Sequence, residues 1–189
     1  MPSRLSAVRH GETEWSLDGR HTGRTDVPLT DAGRERAARL GDALRGRSFA
    51  LVLTSPLSRA RDTAALAGFA DAEVDDDLRE WDYGDYEGRK TIDIRKHRPG
   101  WFLWDDGVPN GESIDDVAAR ADRVIARVRA VDGDVLVFAH GHVLRILAAR
   151  WLDQRPGFAR HLILSPATLS ILAHEREAPA VEVWNAPVL

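Results

Sequence analysis

Residues 4–16 read RLSAVRHGETEWS. The run Leu5–Val8 is short and apolar, the habit of a buried strand. Arg9, His10 and Gly11 come directly after it. Charge where a buried strand stops is costly unless something there requires it. In an open sheet whose strands alternate with helices, ligands bind beyond the carboxyl ends of the strands. Whether this segment lies in such a sheet is decided by the residues downstream of it.

A second apolar run, FALVLTS at 49–55, reads as another buried strand. Between the two, Thr30 caps an expected helix with Ala37, Leu40 and Leu44 on one face. PLSRARDTAALAG at 56–68 reads as a helix with Pro56 in its first turn and a stop near Gly68. Residues 82–111 are rich in Gly, Trp and charge and read as an irregular excursion with one short helix near Thr91–His97. Ile114, Val117, Ala118, Ala121, Val124, Ile125 and Val128 then recur at helical spacing. DVLVFAH is a buried strand, GHVLRILAARWL a helix, and ATLSILAHE and AVEVWN two closing strands. This alternation implies an α/β fold, a three-layer α/β/α sandwich around a mainly parallel sheet. The last strand pair is the place for an antiparallel member. No repeat, linker or low-complexity block divides residues 1–189, so one domain is expected.

The chain of 189 residues is 43% hydrophobic and 30% charged, the balance of a globular protein with a sizeable core. Its net charge of −4 gives no overall field for nucleic acid or an anionic membrane. With no cysteine, disulfides, thiolate metal sites and a cysteine nucleophile are excluded. MPSRLSAVRH lacks the apolar stretch of a signal peptide, and no apolar run reaches membrane-spanning length. A cytoplasmic protein is the expectation.

His10 and His140 each end a strand and each precede a glycine, which would let a ligand approach the backbone. Arg59 lies just inside the helix after the LVLTSP strand end. Three strand ends thus bring Arg9, His10, Arg59 and His140 to one edge. Two arginines and two histidines packed together repel unless an anion neutralises them. The planar fork of arginine suits phosphate oxygens.

RHGETEW, GRHTGRTDVPLT, SPLSRARDTA, LREWDYGDYEG and FAHGH occur in that order along the chain. Together they closely resemble the histidine phosphatase superfamily, with its phosphoglycerate-mutase-like fold. The resemblance implies that His10 is the nucleophile that becomes phosphohistidine. It places Arg9, Arg59 and His140 as the clamp on the phosphoryl oxygens, where charge must be stabilised. Glu80 matches the general acid, which protonates the leaving alkoxide and then deprotonates water. Thr22 and Gly23 match a backbone phosphate contact, and Tyr83 a substrate-binding position. The family often has asparagine where this chain has Ser16, whose shorter hydroxyl would supply a single bond. No cofactor and no metal is implied.

Cofactor-dependent mutases of the family carry an insertion with paired arginines after the EG motif. Here residues 86–113, YEGRKTIDIRKHRPGWFLWDDGVPNGES, are short and lack that pair. A mutase must shield its phosphohistidine from water. The shorter cover favours hydrolysis, so the expected activity is a phosphatase acting on a small-molecule phosphate ester. The motifs look most like the sedoheptulose-1,7-bisphosphatase branch and small bacterial acid phosphatases, which points to a sugar phosphate or bisphosphate. In that branch the arginine of HGHxLR, here Arg145, holds the second phosphate. Trp81, Trp101, Phe102 and Trp104 are candidates for the pocket wall, since aromatic faces suit sugar carbons. The reading admits a homodimer without requiring one. The alternatives are a phosphoglycerate mutase, a metal-dependent hydrolase built on His10-x-Glu12 and His140-x-His142, and a non-catalytic phosphate-binding module. The metal reading is disfavoured because flanking arginines repel a cation.

Overall fold

The strand that begins with Leu5 is buried on both faces, and the rest of the fold is built to cover it. A computed structural model describes residues 3–188. Strand β1 (Leu5–Arg9) pairs in parallel with β4 (Val135–Ala139) on one side and antiparallel with β5 (Thr168–Glu175) on the other. The six-stranded sheet has the order β3-β2-β4-β1-β5-β6, completed by β2 (Leu51–Thr54), β3 (Glu73–Val74) and β6 (Ala178–Pro187).

Side chains alternate across these strands, so an apolar run covered on both faces feeds two cores. Leu5, Ala7, Val135, Val137, Ala139 and Leu172 face α6 (Ile114–Arg129) and α7 (Gly141–Trp151). Val8, Leu136, Phe138, Leu169 and Ile171 face α2 (Asp31–Leu44) and α3 (Ser58–Leu66). The result is the expected three-layer sandwich. Three short helices, α1 (Glu14–Asp18), α4 (Thr91–His97) and α5 (Leu103–Asp106), lie in the loops.

Caps fix the long helices where the sequence places them. Thr30 accepts the Gly33 N–H at the start of α2, and Ser113 and Asp116 cap α6 reciprocally. The expected helix at 56–68 is shorter than its sequence signal. It begins at Ser58, and Pro56 stands ahead of it. Leu57 offers no cap side chain, so Asp26 accepts the Ser58 N–H from the preceding loop instead. The closing pair is antiparallel throughout: β5 to β1 and β6 to β5. β3 is two exposed residues paired with the end of β2, too short to leave a periodic signal.

After β1 the chain goes to α2, and after β4 it goes to α7, on opposite faces of the sheet. β1 and β4 are neighbours, so the crevice between their departing chains opens at their carboxyl ends, the switch point where α/β sheets bind ligands.

Candidate active site

His10 and His140 stand side by side at this crevice, each one residue beyond the Arg9–Ala139 strand pair. Their ring centroids are 5.1 Å apart. The His10 backbone N–H donates to Ala139 O at 2.9 Å, extending the ladder into the site. His10 is buried, and its Nδ1 lies 2.7 Å from Gly11 O. A carbonyl only accepts, so Nδ1 carries the proton. Burial, then the charges of Arg59 and Arg9, hold the ring well below the usual histidine range. The neutral ring therefore has a bare lone pair on Nε2, and it borders a cavity of about 190 Å³.

Arg9, Ser16, Thr22, Glu80, Tyr83 and Arg145 border the same cavity, as do His21 and His142. Arg9 donates through Nη1 to Leu164 O, while its buried Nε has no hydrogen-bond partner. Among the described residues this buried donor is left unpaired, which is costly. Glu80 is fixed by three backbone donors. Oε1 accepts the N–H groups of Trp81 and Val143, and Oε2 that of His142, each at 2.9 Å. His140, at the N-cap of α7, makes no side-chain cap, so Glu80 caps the helix from another segment. Oε2 keeps lone-pair capacity for a proton.

Arg59 and His140 are brought to His10 but lie beneath the cavity rather than on it. Both are fully buried. Arg59 donates from Nε to His140 Nδ1 at 3.1 Å, from Nη1 to Thr25 O, and from Nη2 to the carbonyls of Thr22 and Gly23. With Nδ1 accepting, His140 carries its proton on Nε2, 2.7 Å from Ser55 Oγ. Burial, followed by Arg59, holds His140 well below the usual range as well. The expected direct clamp is thus layered. Arg9 faces the ligand space, and Arg59 acts on His10 from below.

Four other expectations are corrected. The Gly23 N–H donates to both oxygens of Glu87, at 2.9 and 3.0 Å, and Gly23 borders a neighbouring cleft instead of the His10 cavity. Ser16 closes a capping box: its hydroxyl donates to Thr13 O at 2.8 Å and accepts the Thr13 N–H. Its only proton is engaged there. Of the two glycines after the histidines, Gly11 serves packing, whereas Gly141 borders the cavity as expected. A Cβ on Gly11 would lie 2.6 Å from Gly33 O, and one on Gly141 3.3 Å from Arg9 Cζ. Trp81, Trp101 and Trp104 are buried in the core behind the cavity, and Phe102 lies outside its lining.

Those tryptophans back Tyr83, an expected substrate-binding position, together with His142 and His21, to which the sequence reading gives no part in a phosphatase site. His142 packs against Trp81 and Trp104, and Tyr83 OH is 2.6 Å from its Nδ1. Burial pushes the Tyr83 phenol well up and His142 well down, so the neutral phenol donates to the neutral imidazole. His21 packs on Tyr83 and edge-on to Trp101, and burial lowers it to about 4. Arg145 lies 4.6 Å over the Trp104 ring and donates to Ala159 O and Arg160 O through Nε and Nη2. Arg145 also lines the cavity. The residues of the metal reading are otherwise engaged. Glu12 accepts from Thr30 Oγ1, both His140 nitrogens are bonded, and His142 Nδ1 is bonded to Tyr83.

The family model of the histidine phosphatase superfamily (branch 1) matches residues 5–187. An acid phosphatase of Mycobacterium tuberculosis is 42% identical over 176 residues, covering 91% of this chain and 87% of its own. The sedoheptulose 1,7-bisphosphatase of Saccharomyces cerevisiae is 41% identical over 187 residues, covering 80% and 69%. Among solved structures, the Mycobacterium tuberculosis open reading frame Rv3214 superposes with a TM-score of 0.92 at 38% identity, over 99% of both chains. A mycobacterial glucosyl-3-phosphoglycerate phosphatase in complex with VO3 superposes at 0.87, with 31% identity over 97% of this chain and 99% of that one.

Proposed function

Since the chain belongs to the histidine phosphatase superfamily (branch 1), we propose that it is a phosphomonoester hydrolase working through a phosphohistidine on His10. The observation that carries this reading is the His10 ring, neutral and buried, with Nδ1–H held by Gly11 O, which leaves the Nε2 lone pair free on a ring that lines the cavity beside Arg9. A lone pair fixed in place beside positive charge is what attack on a phosphate ester needs.

In the first step Nε2 attacks phosphorus and the ester P–O bond breaks. Glu80 passes its proton to the departing oxygen. The imidazole becomes cationic, and the Gly11 carbonyl already faces the Nδ1–H that carries the charge. In the second step water attacks phosphorus, the P–N bond breaks, and Glu80 takes the proton from water. Inorganic phosphate leaves and His10 returns to its neutral state. Arg9, which lines the cavity, supplies positive charge for the phosphoryl oxygens, and Arg59 supplies charge from beneath.

The substrate is a small phosphorylated metabolite, with a sugar phosphate or bisphosphate favoured. The relatives named for sedoheptulose bisphosphate and glucosyl-3-phosphoglycerate support that class. So does Arg145, a guanidinium that lines the same cavity as Glu80. The test is a panel of phosphate esters with His10→Ala alongside the wild type. Wild type releases inorganic phosphate, is labelled in an acid-labile form, and keeps its activity after chelation. His10→Ala loses turnover and label together. Activity that a chelator removes and Zn²⁺ restores, or rapid conversion of 3-phosphoglycerate to 2-phosphoglycerate without phosphate release, overturns the reading.

A further inference from the structure

Glu87 is 64 positions from Gly23 in sequence yet grips the loop on which Arg59 rests. Its Oε1 accepts the N–H groups of Gly23 and Thr25 at 2.9 and 3.0 Å, and Oε2 shares the Gly23 proton. The carbonyls of the same loop point the other way. Those of Thr22, Gly23 and Thr25 accept from both terminal nitrogens of Arg59, whose Nε is held by His140 Nδ1. A carboxylate therefore holds the donor side of the 22–25 loop and a guanidinium its acceptor side. Each charge polarises the peptides toward the other. The approach is close enough to dictate a glycine. A Cβ on Gly23 would lie 2.5 Å from Trp81 O and 2.8 Å from Glu87 Oε2.

We infer that Glu87 is a positioning residue for catalysis: through the 22–25 loop it holds Arg59 against His140 and beneath His10. Glu87 touches no substrate, because it does not border the cavity. The inference deepens the hydrolase reading and rests on it for its kinetic consequence. The charged or titratable groups against His10 are Arg9 on β1, Arg59 on α3 and His140 at the start of α7, with Arg20, His21, Glu80, Tyr83, His142 and Arg145 around the cavity. Of these, Arg59 is the one whose side chain bonds the carbonyls of the loop that Glu87 holds.

The test compares Glu87→Ala, Glu87→Gln and Gly23→Ala in the intact chain. The His10 ring is titrated by NMR, and kcat and KM are measured for an aryl phosphate. Two effects of losing Glu87 have opposite signs. Deleting a negative charge by itself lowers the His10 titration midpoint. Releasing Arg59 from beneath His10 raises it toward the ordinary range. The expected result for Glu87→Ala is a rise, with kcat/KM down by ~10²-fold, the scale of a small misplacement in an active site. Glu87→Gln keeps one oxygen for the Gly23 and Thr25 N–H groups and recovers part of both. Gly23→Ala forces the loop off Glu87 with the carboxylate intact and behaves like Glu87→Ala. A His10 midpoint that stays or falls in both Ala variants, with activity tracking only thermal stability, overturns the inference. The titration needs no substrate. If the wild type hydrolyses no ester, the function fails while the positioning of Arg59 is still decided.

Discussion

Replacing His21 with asparagine should make folding less sensitive to acid, by an amount that the burial of this ring sets. His21 is packed between Tyr83 and Trp101, and burial lowers it from 6.5 to about 4. The unfolded chain protonates near 6.5, so between these values it binds a proton that the folded chain does not. Stability from this residue is therefore complete above ~7.5 and falls with pH down to the folded value. At 1.36 kcal/mol for each unit, the full contribution is about 3.4 kcal/mol. Integrating between pH 7 and pH 5 gives a loss of about 2 kcal/mol. Asparagine cannot titrate, so the His21→Asn protein loses that much less on the same acidification. At either pH the variant also suffers a packing loss, which is constant and cancels in the comparison. Urea unfolding of both proteins at pH 7 and pH 5 reads the difference, worth about 1 M in midpoint for a chain of this size. Parallel pH dependence in the two proteins would mean that His21 takes up its proton without unfolding, and would refute the burial argument.

Two further outcomes concern turnover. Glu80→Gln should slow alkyl phosphates by ~10²–10⁴-fold and aryl phosphates far less, since a good leaving group needs little protonation; equal losses for both would assign Glu80 a purely positional role as the cap of α7. Arg145→Ala should impair sugar bisphosphates more than an aryl monophosphate by ~1.5–3 kcal/mol in kcat/KM, the worth of a hydrogen bond to a charged group, and an equal loss across the ester panel would remove Arg145 from substrate recognition.

The strands and long helices are legible in the sequence because their signals are local. Two-sided burial makes β1 and β4 continuous apolar runs, and the helical stripe from Val117 to Val128 is the face α6 buries. Arg9, His10, Glu80, Tyr83 and Arg145 meet around one cavity, and strand ends and motifs announce all five. What sequence does not disclose is depth. Nothing in SPLSRA says that the Arg59 guanidinium faces the carbonyls of 22–25 instead of open space. Nor does RHG say that its glycine is demanded by the backbone of Gly33. Ser16 and Gly23 mislead for the same reason: each has the chemistry of a donor toward a ligand, while its bonds are claimed by Thr13 and Glu87. Sequence reads His142 only as part of a His-x-His metal pair, because its partners, Tyr83 and Trp104, are distant in sequence and meet it only in the folded chain.

The two histidines at the crevice are held apart by a hydrogen-bonded ladder and not by a loop. Adjacent strands are spaced about 4.8 Å apart by their backbone bonds, and the rings extend that lattice with centroids 5.1 Å apart. Nucleophile and partner are thus ruled like two teeth on one comb. Loops around them can lengthen, shorten or change composition to admit other esters without altering the pitch. A one-residue slip of β4 against β1 would be another matter. It would put Ala139 or Gly141 opposite His10 and turn His140 to the other face of the sheet. Diversification in such a scaffold is free at the rim and forbidden in the register.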